Sequence, residues 1–436
     1  MAGEPIIIIG AGLAGLSAAI VAAENGREAT LVSAMPSERA QSAMAEGGIN
    51  AALDTMGEGD SAAEHFADTM AAGAGLADPN AARALAEAAP GIVRRLAALG
   101  TVFNVQSGGE LDLRNFGGQR KKRTAFAQSG TGKQIMTALI AEARKYEARG
   151  LIRRHSQHGL ARLLTEGGAC AGCAVRDTRT GETVNLRGAV IVAAGGMHGL
   201  FGSTTGSKDN TAEAAAALFR MGIPIANCEF IQYHPTTAAI PGKRLLISEA
   251  ARAEGGRLFA LRGGKPWHFM EEMHPELGNL APRDVISREM ALLGGPAWLD
   301  MRRVPEAAMR ERLRDTVDDC LALLRLDPRE SPIPVSPGIH YFMGGIQVDE
   351  GHCAALPGLY AAGECCCQYH GANRLGGNSM LGAIYGGMAA SRSAMARAAG
   401  ALDPIAPAGD EPAPELEPTL TPMPEQRQGQ GQAPEP

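Results

Sequence analysis

The first hydrophobic segment of the chain is a short, unbroken apolar run, Ile6–Ile9, and an alanine-rich stretch follows it to about Glu24. A second apolar run covers about Ala29–Ser33. Short continuous apolar runs are typical of strands that are buried on both faces, and the stretch between them is long enough for a helix. The pattern therefore predicts a β-α-β unit with parallel strands at the start of the chain.

The following residues alternate between helical and strand periodicity. Apolar positions three and four residues apart predict helices, whereas short apolar or alternating runs bounded by glycine predict strands. The predicted helices cover about residues 60–75, 81–99, 131–147, 211–221 and 379–399. The predicted strands are an antiparallel meander over about 159–186 and two buried strands at 189–194 and 358–362. Together these elements predict an α/β fold.

Residues 230–340 differ from the sequence on either side because they have mixed composition, many predicted loops and the clusters of histidine and arginine. We predict that they form an inserted α+β domain, which divides the main domain into residues 1–229 and 341–400. The last segment, residues 403–436, contains nine prolines and few large apolar side chains. Such a segment cannot bury enough apolar surface to offset its ordering entropy, so we predict a disordered tail.

Composition and charge exclude several classes of function. The net charge is −6 and no basic stripe is present, which argues against a nucleic-acid-binding protein. No apolar run is long enough to span a bilayer, so we expect no transmembrane segment. Met1–Pro5 lacks the charged start and the cleavage site of a signal peptide, so we expect a cytoplasmic location.

The eight cysteines do not predict disulfides or a metal site. Cys365–Cys367 are adjacent, which is a poor arrangement for a disulfide framework in a long chain. Cys170 and Cys173 form one C-x-x-C pair, but a zinc site usually needs a second pair of ligands at a suitable spacing. We interpret both groups as structural thiols of a reducing compartment.

Three glycines between the first strand and the first helix indicate a nucleotide site. Gly10, Gly12 and Gly15 form G-x-G-x-x-G, in which they permit a tight turn, a close approach of pyrophosphate and close helix–strand packing, respectively. The helix N-terminus adds free N–H groups and the positive end of the helix dipole. Ser33 ends the second strand where an NAD fingerprint has an acidic residue, but a hydroxyl can still bond a ribose, so FAD remains open.

Four motifs spaced along the chain resemble those of one flavoprotein family. They are Gly10–Gly15, Ala45–Ile49 (AEGGI), Ala193–Gly196 (AAGG) and Gly358–Glu364 (GLYAAGE). Their order over about residues 5–400 is similar to that in the flavoproteins of succinate dehydrogenase, fumarate reductase and L-aspartate oxidase. The resemblance implies a Rossmann-like FAD-binding domain with an inserted substrate-capping domain.

The resemblance also implies which residues bind FAD. These are Gly10, Ala11, Gly12, Ala14, Gly15, Ser33, Gln41, Ala45, Glu46, Gly47, Gly48, Ala194, Gly195, Glu213, Tyr341, Glu364, Arg374, Gly377, Asn378, Ser379 and Met380. Gln41 stands where members from membrane complexes have the histidine that links FAD covalently. Because an amide cannot form that bond, we predict non-covalent FAD. The last helix would direct its N-terminus at the flavin.

The active-site motifs of the same family are also matched. They correspond here to Gln232–Thr236, Ser248–Arg252, Pro282–Asp284, His340–Gly345 and Asn373–Ser379. A dicarboxylate carries two negative charges that must be fixed, and an arginine can bind one carboxylate through two parallel hydrogen bonds. The resemblance implies that Arg374 does so, and that further hydrogen bonds come from His234, Ser248 and His340.

The resemblance implies that Arg283 donates the proton, and that Glu249 and Arg252 supply the proton to Arg283. The last two are three residues apart, so they would share one face of a helix. A guanidinium pKa lies above about 12. Either neighbouring cations such as Arg374 lower the pKa of Arg283, or Arg283 stabilises negative charge without donating a proton. The sequence leaves both open. A hydride would pass from flavin N5 to the other alkene carbon.

Phe116 favours fumarate, or a closely related enoate, over aspartate. L-aspartate oxidases have a glutamate at the matching position, which can pair with the substrate ammonium, whereas fumarate reductases have a phenylalanine that stacks over the alkene. We therefore predict a fumarate reductase flavoprotein, with L-aspartate oxidase as the alternative and a non-enzymatic electron-carrier flavoprotein as a third class. The resemblance implies an iron–sulfur or other electron-donor subunit as partner.

Overall fold

The computed structural model describes residues 4–128 and 130–398. The α-helices in these residues are α1 (Leu13–Glu24), α2 (Ala62–Ala72), α3 (Pro79–Ala98), α4 (Thr131–Ala148), α5 (Glu213–Arg220), α6 (Glu249–Ala253), α7 (Phe269–Met273), α8 (Arg283–Leu292), α9 (Glu306–Glu311), α10 (Arg314–Asp319) and α11 (Asn378–Ala398). The strands are β1 (Ile6–Ile9), β2 (Ala29–Ser33), β3 (Ile49–Asn50), β4 (Leu113–Arg114), β5 (Thr124–Ala125), β6 (Ile152–Ser156), β7 (His158–Glu166), β8 (Ala169–Asp177), β9 (Thr183–Arg187), β10 (Val190–Val192), β11 (Ile225–Ala226), β12 (Ile231–Ile240), β13 (Lys243–Leu246), β14 (Arg257–Arg262), β15 (Lys265–Trp267), β16 (Ala297–Asp300), β17 (Ile333–Phe342), β18 (Gly345–Gln347), β19 (Leu359–Ala361) and β20 (Cys366–Cys367).

A five-stranded parallel sheet with the order β19-β10-β1-β2-β6 forms the centre of the fold. All four residues of β1 are buried, as expected for a strand that is covered on both faces. Helices α1 and α11 pack against each other beside this sheet. The predicted β-α-β unit is confirmed, and β7, β8 and β9 form the predicted antiparallel meander. The α/β class is therefore confirmed.

A second, antiparallel sheet with the order β13-β12-β17-β16-β14-β15 lies between residues 231 and 342. It has its own buried cluster of apolar side chains, whose members run from Ala238 to Val335. The position of this sheet agrees with the inserted segment, but the described residues belong to one compact unit, so the domain boundaries at 229 and 340 stay predictions. The predicted disordered tail, residues 403–436, lies outside the described residues.

Some boundaries differ from the sequence prediction for local reasons. Helix α5 begins only at Glu213, because Ala212 adopts a left-handed conformation with φ of 60°. Strand β10 is limited to three residues by Gly188 and Gly195, which both have positive φ. In the described part of the chain, no helix combines the length and apolar character needed to cross a membrane. All eight cysteines lie in that part, and all are free thiols.

Candidate active site

A cavity of about 330 Å³ lies between the carboxyl ends of the parallel strands and the antiparallel sheet. Ligands of open α/β sheets bind at this edge because the loops after parallel strands meet there. One end of the cavity is lined by the glycine turn and by the loop that follows β2. The other end is lined by charged and aromatic side chains of the antiparallel sheet and its neighbours: Phe116, His234, Ser248, Glu249, Arg283, His340, Tyr341 and Arg374.

The glycine turn is closely packed against the sheet. Gly10 has φ of 118°, and a Cβ atom there would lie 2.1 Å from the carbonyl oxygen of Ala193 in the loop after β10. A Cβ atom at Gly15 would lie 1.9 Å from the carbonyl oxygen of Gly10. Gly12 lines the cavity and precedes α1, and Leu13 N–H donates to Ser42 Oγ at 3.3 Å. Only glycines allow the turn and α1 to approach the sheet this closely.

Two arginines at the far end of the cavity share one acceptor. Gln232 Oε1 accepts from Arg374 Nη2 at 2.8 Å and from Arg283 Nη1 at 3.1 Å. The Gln232 amide nitrogen donates to Asn373 Oδ1 at 2.6 Å and to the carbonyl oxygen of Arg374 at 2.7 Å. The Arg374 guanidinium also lies over the ring of Tyr341, 4.3 Å from its centroid. Gln232 thus fixes both guanidinium groups beside the cavity.

Glu249 is the carboxylate that balances part of this positive charge. Its Oε2 accepts from Arg283 Nε at 2.9 Å and lies 2.8 Å from Arg283 Nη2. Its Oε1 accepts from Gly117 N–H at 2.6 Å and lies 3.6 Å from Arg252 Nη2, as expected for positions i and i+3 of α6. Although burial raises the pKa of Glu249, Arg283 and Arg252 hold it below its usual value. Glu249 is therefore an anion at neutral pH.

Two histidines lie beside the arginines. The rings of His234 and His340 are 5.1 Å apart, and His340 Nδ1 is 2.8 Å from Thr205 Oγ1. Burial, followed by the charge of Arg283, lowers the pKa of both imidazoles well below their usual value. Both rings are therefore neutral at pH 7 and can act as hydrogen-bond donors or acceptors without adding charge.

The charges at this end of the cavity do not cancel. Three buried guanidinium groups, those of Arg252, Arg283 and Arg374, accompany the carboxyl groups of Glu249 and Glu364. Burial, together with Arg283, lowers the pKa of Arg374 to about 9, so it keeps its charge at pH 7. The guanidinium groups thus outnumber the carboxyl groups, so the local charge is positive. An anionic ligand would be attracted to this end of the cavity.

Phe116 lines the cavity beside the arginines, and its ring packs against Gly47 and Arg114. Its ring would touch a Cβ atom placed at Gly47, at 3.2 Å, and the Arg114 guanidinium lies 5.4 Å from its centroid. Arg114 donates to the carbonyl oxygen of Gly47, which joins this ring to the A-E-G-G loop. Phe116 therefore presents an apolar surface beside the charged side chains.

The comparison with known proteins is consistent with this geometry. A family model described as an FAD binding domain matches residues 5–380. The succinate dehydrogenase flavoprotein subunit of Bacillus subtilis is 42% identical over 91% of this chain and 70% of that protein. The L-aspartate oxidase of Streptomyces coelicolor is 36% identical over 92% of this chain and 70% of that protein. The E. coli quinol fumarate reductase structure has a TM-score of 0.83 and 30% identity, covering 92% of this chain and 72% of that chain.

This chain belongs to the succinate dehydrogenase and fumarate reductase flavoprotein family. It is an FAD-dependent oxidoreductase that acts on CH–CH donors. The predicted family, cofactor and enzyme class are thereby confirmed. Because succinate dehydrogenase, fumarate reductase and L-aspartate oxidase are all similar to the chain, similarity alone does not select one of these activities.

The cavity of this flavoprotein has the features that FAD needs. The turn at Gly10–Gly15 and the start of α1 offer backbone N–H groups for a pyrophosphate. Three buried polar atoms of cavity-lining residues have no hydrogen-bond partner among the described residues: Asn210 Nδ2, Glu46 Oε2 and Arg374 Nε. Buried polar atoms are rarely left unpaired, so a ligand is the natural partner for them. The residues present therefore fit FAD.

Most of the predicted site residues meet at this cavity, and three lie behind it. Gly15 packs between α1 and β1, and Arg252 lies behind Glu249, where it donates to the carbonyl oxygen of Asn279. The side chain of Asn378 is directed away from the cavity, because it bonds His65 Nε2 at 2.9 Å and Asn50 Nδ2 at 2.8 Å. The other predicted FAD and substrate residues line the cavity.

Several contacts at and beside the cavity were not predicted from the sequence. Ser42 caps the first turn of α1, and Asn210 faces Gly195, where a Cβ atom would lie 3.0 Å from Asn210 Nδ2. Gln232 was noted only as part of a motif, yet it joins the two arginines. His198 bonds Glu364 although the two are 166 residues apart. A local pattern cannot reveal contacts between segments this distant in the chain.

Proposed function

We propose that this flavoprotein reduces fumarate to succinate. The observation that carries the proposal is that both oxygens of Glu249 are already engaged, by Arg283 on one side and by Gly117 N–H on the other. The nearest carboxylate is therefore already hydrogen bonded within the protein, and Phe116 offers only an apolar ring. This arrangement supports a dicarboxylate without an amino group over aspartate.

Different side chains would bind the two carboxylates of the substrate. Arg374 would hold one carboxylate, assisted by His340, while His234 and Ser248 would donate hydrogen bonds to the other. The excess of positive charge at this end of the cavity favours an anionic ligand such as a dicarboxylate. Because the groups are buried, their attraction for the dianion is stronger than it would be in water. The double bond would then lie against Phe116.

Arg283 is the best candidate for the proton donor. When bound, FAD supplies the hydride, and the second alkene carbon must receive a proton. Arg283 is held by Glu249 and Gln232, so its guanidinium has a fixed orientation at the cavity. Arg252 lies behind Glu249 at 3.6 Å, which gives a chain of charged groups through which the proton could be replaced.

We further propose that FAD is held without a covalent bond. Gln41 lines the cavity, and its side-chain oxygen accepts from Ser207 N–H. An amide offers no nucleophile for attachment to the flavin. If acid precipitation of the FAD-loaded protein leaves the flavin in the supernatant, the proposal is supported. If the flavin stays with the precipitated polypeptide, the proposal is wrong.

The activity can be tested with the flavin as its own indicator. The FAD-loaded protein is reduced without oxygen, and fumarate, L-aspartate or succinate is then tested in separate reactions. We expect fumarate to restore the oxidised flavin spectrum. Aspartate-dependent peroxide formation by the oxidised, FAD-loaded protein in air, with no reoxidation of reduced FAD by fumarate, would instead identify an L-aspartate oxidase. Phe116→Leu should retain more fumarate turnover than Phe116→Glu, because only glutamate places a negative charge beside the dianion.

We also propose a separate electron-donor protein, with an iron–sulfur protein as the expected kind. The solved relatives include a Mycobacterium smegmatis Sdh1 structure described as a complex with UQ1, with a TM-score of 0.77 and 33% identity. A pull-down with the full chain from its native host would test this proposal. Co-purification of a protein with iron–sulfur absorbance that reduces the bound FAD is expected. Reduction of FAD by a pyridine nucleotide alone would contradict it.

A further inference from the structure

A buried histidine outside the proposed mechanism touches the wall of the cofactor cavity. His198 has no exposed surface, and its Nε2 is 3.0 Å from Glu364 Oε1. Glu364 lines the cavity and also accepts from Phe342 N–H at 3.2 Å. The other ring nitrogen, His198 Nδ1, is 2.7 Å from Thr204 Oγ1. The pair therefore joins the cavity wall to a buried hydroxyl.

The His198 ring is closely packed against Gly206 and Phe342. A Cβ atom at Gly206 would lie 2.2 Å from His198 Cγ, so any side chain larger than that of glycine would displace the imidazole. On another side, the ring packs edge-on against Phe342 with centroids 4.9 Å apart. A histidine enclosed in this way is held at a fixed distance from Glu364. Its position is thus a property of the fold and does not depend on side-chain flexibility.

The hydrogen bonds around Thr204 allow two proton arrangements. In the first, the Thr204 hydroxyl donates to His198 Nδ1, and the neutral ring donates from Nε2 to Glu364. In the second, the hydroxyl rotates and donates to the carbonyl oxygen of Ile339, 3.2 Å away, while His198 Nδ1 carries a proton and donates to Thr204 Oγ1. Every polar group keeps a partner in both arrangements. The ring can therefore gain a proton when one hydroxyl rotates, without movement of the backbone.

We propose that His198 takes up a proton when the bound FAD is reduced. Two electrons and one proton convert FAD to its reduced anion, and a second proton converts the His198 imidazole to imidazolium, so the balance is two electrons and two protons. The electrons come from the donor or the CH–CH substrate that the enzyme already uses. A negative charge gained in the cavity favours the charged form of a nearby imidazole. The cation would be stabilised by Glu364.

The surrounding charges are compatible with this role. His198 interacts with the titratable groups of Glu364 and His340, and burial keeps the pKa of His340 well below its usual value. Arg374 and Tyr341 interact electrostatically with Glu364 from the substrate side. Among these groups, His198 is the imidazole with a carboxylate partner.

The pH dependence of the FAD midpoint potential tests the proposal. A tenfold change in proton concentration shifts a two-electron potential by about 30 mV for each proton taken up. We expect the wild-type potential to change by up to about 60 mV per pH unit, whereas His198→Gln should show a smaller change, of about 30 mV, at the same pH. Glutamine keeps an N–H for Glu364 but cannot be protonated.

A direct proton count supplies a second readout. An indicator dye in weak buffer should record nearly two protons per FAD reduced in wild type and one in His198→Gln. His352→Gln is the matched control, because His352 is equally buried but bonds Tyr369 and a carbonyl oxygen, and it has no carboxylate hydrogen-bond partner among the described residues. The control should behave as wild type. Equal slopes and equal counts in wild type and His198→Gln would overturn the proposal.

A second pair of variants tests proton uptake by His198 if His198→Gln does not retain FAD. Thr204→Ser keeps the hydroxyl that accepts from the protonated ring, whereas Thr204→Val removes it at similar volume. The extra proton uptake should persist in the serine variant and decrease in the valine variant, and identical behaviour of the two would refute the proposal. The inference depends on FAD and not on the substrate, so failure to reduce fumarate would leave it unaffected.

Discussion

The affinity of the cavity for a dicarboxylate is expected to fall at alkaline pH because Arg374 loses its charge. Burial and the nearby charge of Arg283 lower the pKa of Arg374 to about 9, far below the usual value of an arginine. Its Nε has no partner among the described residues, and its Nη2 is bound by Gln232. A bound dianion would favour the protonated form. Binding above pH 9 therefore requires the uptake of a proton.

The size of the effect follows from this linkage. If only protonated Arg374 binds the dianion, the apparent Kd is proportional to one plus ten raised to the power of pH minus 9. Between about pH 8 and about pH 10 the apparent Kd then rises about tenfold, which corresponds to about 1.4 kcal/mol. Above that range each further pH unit weakens binding about tenfold. Below about pH 8 the affinity should be nearly constant.

Malonate is a suitable ligand, because it is a dicarboxylate without a double bond to reduce. Its binding to the FAD-loaded protein is followed by the change in flavin absorbance from about pH 7 to about pH 10. Arg374→Met should bind malonate weakly, with little dependence on pH. Arg302→Met, which removes an exposed arginine paired with Asp300, should reproduce the wild-type curve. A wild-type affinity that stays constant up to about pH 10, or an equal decline in Arg374→Met, would refute the reasoning.

Three further outcomes are expected. Gly15→Ala should abolish FAD retention in a gel-filtration assay, because the added Cβ would lie 1.9 Å from a carbonyl oxygen. Gly91→Ala has open space around it and should instead raise the free energy of unfolding by about 0.5–1 kcal/mol. Glu249→Gln should lower fumarate turnover about 10²–10⁴-fold in a steady-state assay while malonate still binds. Burial lowers the pKa of His352 from 6.5 to about 4, so as pH falls the unfolded chain binds a proton at this residue before the folded chain does. That contribution to stability, about 3 kcal/mol, is complete above pH 6.5 and is lost as pH falls towards about 4, and His352→Gln should remove this part of the pH dependence of Tm.

The first strand, the first helix and the second strand could be predicted almost residue by residue. β1 and β2 coincide with the predicted apolar runs, and α1 ends at the predicted Glu24. These elements are determined by information that is local in the chain: the length of an apolar run, helical spacing and the conformational needs of a few glycines. The same reason explains why the meander and the start of α4 were predicted from short segments.

The antiparallel sheet could not be predicted in the same way. Its two longest strands, β12 and β17, pair through residues such as Tyr233 and Ile339, which are more than a hundred positions apart, and the pairing has irregular register near His234. Each strand alone has mixed polarity because one part lines the cavity and another part packs in the core. The periodicity of a single segment therefore does not reveal its partner.

Side-chain direction is the second kind of information that the sequence does not contain. Asn378, Ser379 and Met380 are consecutive at the start of α11, and all three were predicted to bind the cofactor. Consecutive positions of a helix differ by about 100° in direction, so they cannot all face one cavity. Ser379 and Met380 line the cavity, whereas Asn378 points to the opposite side and bonds Asn50 and His65. Membership in a motif therefore identifies a segment, while the turn of the helix decides which of its side chains reach the ligand.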